Sequence, residues 1–324
     1  MIDTPAFLDT HRPDSVPDLV VPHGITPFHL SNSPVRGRLV RLGPLADIML
    51  TRHDIADSGR ILAGQALSLV AGLSAGLKFK GSFSLQIKGD GPVSTLVADC
   101  TDTGELRFYL RMENDAAPRD ATARALLGEG YFAFTVDQGA HMERHQGIVA
   151  LEGETLADMA THYFETSEQH RCAVLLFCDR TEAGWEAGAL LLEKIAQEGG
   201  IVPSPDAGPG EKHQGQTDSG AAQTDEDSWE TACVLGRTLT SSELFDRSLS
   251  SVTLIERLFG TQGVIVDRAR AVSLGCRCNR ARLAGVLSSF PEEDLDHMAE
   301  EGTITMNCEF CNVGFQFARD DIAR

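Results

Sequence analysis

The sequence predicts an α+β protein with three parts: an N-terminal domain of mixed sheet and helix, a helical linker, and a small C-terminal domain built around cysteines. Three observations lead there. Between residues 31 and 195, period-two strand patterns separated by Gly and Pro turns outnumber helical ones, which favours α+β over a parallel doubly wound sheet. Residues 197–227 then lose almost all core-forming side chains. Finally, residues 260–324 hold half of the eight cysteines, in two close pairs.

Residues 1–30, rich in Pro, Asp and His without periodicity, are expected to form a loose N-terminal extension. "FHLSNSPVRGRLVRLG" reads as the entry strand of the core domain, 31–195. In "SGRILAGQALSLVAGLSAGLKF", Ile61, Leu62, Ala66, Leu69, Val70 and Leu73 recur at helical spacing and predict a long buried helix. "GSFSLQIKGDGPVSTLVADC" and "GELRFYLRM" alternate apolar and polar residues around a turn at Gly89–Pro92, giving three antiparallel strands. A short helix near 119–127 precedes a strand pair, "GYFAFTVDQG" and "HQGIVALEG". A helix through Leu156, Met159, Ala160, Tyr163 and Phe164 follows, with turn chemistry expected at its "SEQ" end, 167–169. "CAVLLFC" is a buried strand, and "WEAGALLLEKI" closes the domain.

The segment 196–259 combines a flexible acidic stretch, 197–227, with helical linker patterns. These are "SWETACVLGRTL" and "SSELFDRSLSSVTLIERLF", the latter with Ser241 or Ser242 as N-cap.

Composition narrows the function. The 324 residues suffice for two or three domains, and no run of 18 apolar residues exists to cross a bilayer. The N-terminus is acidic where a secretory signal needs a basic region, so the expected compartment is the cytoplasm. In that reducing environment, paired cysteines point to metal or redox chemistry. A net charge of −19 repels phosphate backbones and anionic membranes, so neither nucleic acid nor membrane is an expected partner. The same charge keeps a protein soluble while it exposes apolar surface. With no Gly-Lys dipeptide there is no P-loop. One enzyme motif does occur: "GLSAG", Gly72–Gly76, has the GxSxG form and leaves a serine hydrolase using Ser74 as an alternative, although a helix precedes it instead of a strand.

Cys100, Cys172, Cys178 and Cys233 are scattered in apolar surroundings and are expected to pack in the core, with Cys172 and Cys178 on one side of a strand. The other four form "CRC" (Cys276, Cys278) and, after 29 residues, "CEFC" (Cys308, Cys311). Thiolates on two short turns suit a tetrahedral Zn²⁺ site, which makes 260–324 a small C-terminal zinc-binding domain. Between the pairs, Leu283, Val286, Leu287 and Phe290 mark one helix, Pro291 opens a second, acid-rich one, and "TITM" is a strand that delivers Cys308.

Thiolates are the form that oxidants attack. Arg277, Arg280, Arg282 and a helix N-terminus near Asn279 are expected to favour negative sulfur at Cys276 and Cys278. Two readings follow: a constitutive structural zinc ribbon that acts as a binding module, or a switch. In the switch, loss of zinc unfolds 260–324, frees the preceding helices and exposes Leu244, Phe245, Leu254, Ile255, Leu258 and Phe259.

These motifs resemble the redox-regulated 33 kDa heat-shock chaperone family of bacteria, zinc-containing holdases. The likeness rests on the CxC and CxxC spacing, "CEFCNVGFQF", "RLFGTQGVIV", "KGDGPVSTLVADC", "HQGIVALEGETLADMATHYFETSEQ" and "AGALLLEKI", and spans about 270 residues. The resemblance implies an ATP-independent chaperone, not an enzyme, with Cys276, Cys278, Cys308 and Cys311 as zinc ligands. It implies that oxidation pairs Cys276 with Cys278 and Cys308 with Cys311, that zinc is lost, and that the C-terminal domain and linker unfold. The activated protein then forms a homodimer and binds unfolding clients. The N-terminal extension and the 197–227 stretch look longer than the family pattern.

Overall fold

The computed structural model describes residues 6–31, 33–77, 80–113, 121–138, 145–195 and 219–322. After a 3-10 turn at Ala6–Leu8, strands β1 (Val20–Leu30) and β2 (Val35–Arg41) pair as a hairpin, followed by helices α1 (Pro44–Leu50) and α2 (Asp57–Ser74). A meander of β3 (Ser82–Gly89), β4 (Val93–Thr101) and β5 (Glu105–Met112) comes next. Then follow α3 (Ala123–Leu127), the pair β6 (Gly130–Asp137) and β7 (His145–Ala150), α4 (Leu156–Thr166), and the hairpin β8 (Cys172–Thr181) and β9 (Gly184–Lys194). Beyond residue 218 lie α5 (Ser219–Gly236), α6 (Ser241–Leu244), α7 (Ser251–Phe259), β10 (Val264–Val266), β11 (Arg270–Leu274), α8 (Arg280–Leu287) and α9 (Glu292–Met298). A small antiparallel sheet of β12 (Ala299–Glu300), β13 (Thr303–Asn307) and β14 (Gly314–Ala318) precedes a last helical turn, α10 (Arg319–Ile322).

The large sheet runs β7-β6-β3-β4-β5-β11-β1-β2-β9-β8, with β10 added beside β1. It curls around α2, which touches β4 and β5 from one half and β9 and β8 from the other. That enclosure explains why α2 is apolar nearly all round, with Leu62, Ala66, Leu69, Val70 and Leu73 buried. Its small residues let the sheet approach closely: a Cβ at Gly64 would lie 2.4 Å from Cys178 Sγ.

The opposite face of β1, β2 and β9 is covered by the linker helices. Phe28, Leu30, Val35, Leu39, Leu190 and Leu192 pack there against Trp229, Leu244, Leu254, Ile255 and Phe259. Polar ties frame this second core. Arg41 Nη2 donates to Glu243 O at 3.1 Å, Arg247 Nη2 meets the buried Glu186 carboxylate at 2.6 Å, and Glu226 accepts from Arg171 at 2.5 Å and Lys194 at 2.6 Å.

The structure departs from the expected elements in several places. Residues 6–30 are not a loose extension: 20–30 form β1, which finds hydrogen-bond partners on both sides, and Ala6 and Val16 are buried; 1–5 lie outside the described residues. The single entry strand is two, broken after Leu30. Residues 219–227, expected within the flexible stretch, begin α5, where Glu226 and Trp229 anchor the helix to the sheet; the remainder of that stretch lies outside the described residues, as do 119 and 120 of the expected short helix. The linker's second helix is two, capped by Thr240 and Ser250, neither of them the expected Ser241 or Ser242. Thr240 and Glu243 form a reciprocal capping box, and Asp246 holds Ser248 in the intervening turn. In α8, Val286 is exposed and Phe290, beyond its end, is exposed too, because Ala284 and Leu287 supply its buried face.

Candidate metal centre

The CRC turn grows directly from the large sheet. β11 pairs in parallel with β5, Ser273 opposite Glu105 and Leu274 opposite Leu106, and antiparallel with β1. Gly275 N then donates to Leu106 O at 2.7 Å. A side chain at Gly275 has no room, since its Cβ would lie 2.6 Å from Glu105 Cβ and 2.7 Å from the Glu105 carbonyl carbon. Cys276 and Cys278 follow, and Asn279 caps α8 by accepting from Arg282 N at 2.8 Å.

The CEFC turn closes the β13–β14 hairpin. Cys308 N donates to Val313 O at 2.9 Å, and Cys311 N and Asn312 N both return to Cys308 O, with Asn312 in the left-handed region at φ 55°. These backbone bonds fix the turn that carries both sulfurs, and "TITM" delivers Cys308 along β13 as expected.

The two turns bring all four sulfurs within 4.8 Å of one another, each on a buried residue. Sγ–Sγ separations are 3.3 Å for Cys276–Cys278, 3.5 Å for Cys276–Cys308 and 3.4 Å for Cys278–Cys311. None of the eight cysteines is in a disulfide. A tetrahedral thiolate site with metal–sulfur bonds of about 2.3 Å has edges of about 3.8 Å, so the set fits a thiophilic dication with a small expansion. Without a cation the sulfurs compete for protons. Cys276, hydrogen-bonded to Cys278, is drawn down to about 7, and Cys308 is also driven toward thiolate, chiefly by its bond to Cys276. Cys278 and Cys311 are held as thiols by bonds to Cys276. Cys276, Cys278, Cys308 and Cys311 would hold a dication as four thiolates, which would end that competition.

The arginines expected to tune Cys276 and Cys278 do not dominate this balance. Arg280 turns away, donating to Gln316 O at 2.6 Å and lying 4.8 Å above the Phe317 ring. What lowers Cys276 is chiefly its hydrogen bond with Cys278, with Cys308 opposing the shift.

Residues that sequence reasoning missed seat the CEFC turn on the core. Arg107, paired with Asp99 at 2.5 Å, lies 4.1 Å over the Phe310 ring. Arg52 Nη1 donates to Cys311 O at 3.2 Å and Asn312 Nδ2 donates to Arg52 O at 2.8 Å. His53, buried against Phe108, is held below its usual range by desolvation, with Phe310 and Cys308 opposing the shift. No local pattern marks the ties to the CEFC turn, since each of them joins residues more than 200 positions apart.

The remaining candidates are structural. Ser74 ends α2, is buried, and donates to Ala71 O at 2.9 Å and to Cys100 Sγ at 3.1 Å, so GxSxG here is helix packing and not a nucleophile elbow. Cys100, Cys172, Cys178 and Cys233 are buried. Desolvation raises Cys100 to about 11 and Cys172 to about 12. The "SEQ" turn caps α4: Ser167 is its C-cap, Tyr163 donates to Glu168 at 2.9 Å, and Gln169 has φ 50°. Among the described residues no helix is long and apolar enough to cross a membrane.

Comparison with known proteins places this architecture. The sequence model of the family described as Hsp33 protein matches residues 24–318. The 33 kDa chaperonin of Caulobacter vibrioides strain NA1000 is 36% identical over 311 residues, covering 92% of this chain and 96% of that one. That of Shewanella denitrificans is 34% identical over 299 residues, covering 91% and 92%. The crystal structure of the Thermotoga maritima 33 kDa chaperonin shares the fold, with TM-score 0.72 and 21% identity over 93% of this chain and 96% of that one. On these matches the chain belongs to the Hsp33 family, a family of chaperones and not of enzymes.

Proposed function

We propose that this protein is a redox-regulated, ATP-independent holdase of the cytoplasm whose reduced, zinc-bound form is dormant. The observation that carries the reading is the four-sulfur cluster built on two turns, one of them rooted on a strand inside the large sheet. Cys276, Cys278, Cys308 and Cys311 are the ligands, and zinc supplies the cross-link that a segment of this size needs in order to stay folded. The switch unit in this reading begins at Gly275 and is coupled through β11 and β10 to the linker helices.

Peroxide is the oxidant class. A thiolate attacks one peroxide oxygen, the O–O bond breaks, and the leaving hydroxide takes a proton to become water. The second thiolate attacks the sulfur of the resulting sulfenic acid, the S–O bond breaks as the disulfide forms, and the expelled hydroxide takes a proton to become a second water. Two such events consume all four ligands. Pairing runs Cys276 with Cys278 and Cys308 with Cys311, because neighbours in sequence stay close as the module loosens while the two turns drift apart. Loss of the cross-link frees 275–322, withdraws β11, and lets α5–α7 leave the sheet. The surface uncovered on both sides includes Phe28, Leu39, Leu190, Leu192, Leu244, Leu254, Ile255 and Phe259. Unfolding clients bind there, and two activated copies associate through part of the same surface. The net charge of −19 keeps such an exposed state soluble.

The test compares reduced with peroxide-treated protein at mildly elevated temperature, recording zinc release and suppression of client aggregation together. Zinc release accompanied by new suppression is the expected result. Equal suppression by both forms, or zinc held through oxidation, would instead favour a constitutive zinc ribbon.

A further inference from the structure

Residues 6–19 precede the segment that matches the family model, yet they bear on both sulfur-bearing turns. The 3-10 turn Ala6–Leu8 lies against α8, with Ala6 buried. Asp9 O accepts from Ala281 N at 2.8 Å, and Ala281 stands at the second position of α8, where a helix has no internal acceptor for its N–H. With Asn279 already serving Arg282 N, the strap completes the N-terminal cap of the helix that leaves the CRC turn.

Three residues on, Arg12 Nη2 donates both to Pro17 O at 3.2 Å and to Leu274 O at 3.1 Å, the last residue of β11 and two before Cys276. Val16 is buried, and Leu274 N returns to Leu19 O at 3.4 Å. The other turn is reached through one side chain: Arg52 donates to Ser15 O with one amino group and to Cys311 O with the other.

We propose that residues 6–19 form a clasp that holds the metal module shut against the sheet and sets how fast its four sulfurs become accessible. The inference rests on the reading above in taking those sulfurs as the metal-holding set, and it deepens that reading by naming what resists opening. The clasp releases nothing chemically. It adds backbone and charged hydrogen bonds that must break before the CRC turn swings away from β5, and it steadies the Arg52 that holds the CEFC turn, so dormancy depends on the N-terminal strap as well as on the metal.

The test uses the full-length, reduced, zinc-loaded protein and three variants: Arg12→Ala, Arg12→Lys, and removal of residues 2–12. Zinc transfer to excess chromogenic chelator is followed without oxidant. Arg12→Ala is expected to transfer zinc about tenfold faster, the equivalent of one lost charge-assisted hydrogen bond, with Arg12→Lys in between and the deletion faster still. Hydrogen exchange over 275–290 should quicken in parallel in the point variants, which serve if the deletion does not fold. Stoichiometrically loaded variants that transfer zinc and exchange at the wild-type rate would overturn the clasp. A separate peroxide arm keeps the two ideas apart: wild type that retains zinc through oxidation defeats the redox switch, whereas the chelator arm still decides the clasp.

Discussion

Phe259→Ala weakens the cover over the sheet without touching a sulfur. Phe259 ends α7, is fully buried, and stacks on Phe28 with ring centroids 5.3 Å apart and planes 27° apart. Truncation removes about 170 Å² of apolar contact, about 4 kcal/mol at about 25 cal/mol/Å², within the range of about 3–5 kcal/mol measured for buried Phe to Ala changes. The populations of docked and free linker then shift by about a thousandfold. If the linker face is what clients bind, reduced Phe259→Ala protein with full zinc content should suppress aggregation of a heat-unfolded client without oxidant, and should bind an apolar dye. Hydrogen exchange over 219–259 reports undocking independently. A variant whose linker exchanges freely while the reduced protein still suppresses no aggregation would refute the assignment of that face to clients.

Gly275→Ala forces a methyl into Glu105 and should destabilise the β11–β5 junction by about 1–3 kcal/mol, seen as zinc release at a lower peroxide dose than wild type. Glu226 is drawn down to about 2 by hydrogen bonds from Arg171 and then Lys194. A depressed carboxylate stabilises the fold above its unfolded value, so protection of α5 in hydrogen exchange should hold above pH about 4.5 and fade as pH falls toward 2. Glu226→Gln should remove that dependence. Cys100, raised to about 11, and Cys172, raised to about 12, carry about a thousandth or less of their thiol as thiolate at pH 8, so iodoacetamide should leave both unmodified in the folded reduced protein by mass spectrometry.

What was legible in the sequence was whatever is local. The α2 helix, the β3–β4–β5 meander and the two cysteine turns each announce themselves through period, punctuation or spacing within about 20 residues. What escaped depends on partners far away. β1 looked like loose chain because its Pro and His residues break alternation, yet β2 and β11 supply its hydrogen bonds from both sides. The start of α5 carries few apolar residues and is held by Glu226 to Arg171 and Lys194, a contact no window on 219–227 contains. The arginines beside the CRC turn suggested electrostatic tuning because sequence proximity was all that could be read. In space Arg280 meets Gln316 and Phe317 on β14, while Arg52 and Arg107 meet the CEFC turn itself.

β11 also bears on how the chain first reaches this shape. Among the described residues, the five of β11 are the seam between two half-sheets, β7-β6-β3-β4-β5 and β1-β2-β9-β8, in the strand order. During synthesis every other strand of both halves emerges first, so β5 and β1 wait with bare edges until residue 274 clears the ribosome. Sealing that gap joins partners more than 160 residues apart, a high-contact-order step that comes late and slowly. A nascent chain of this protein is therefore itself a molecule with open strand edges, and β11 serves as the closure of its own fold before the turns that follow it serve as anything else.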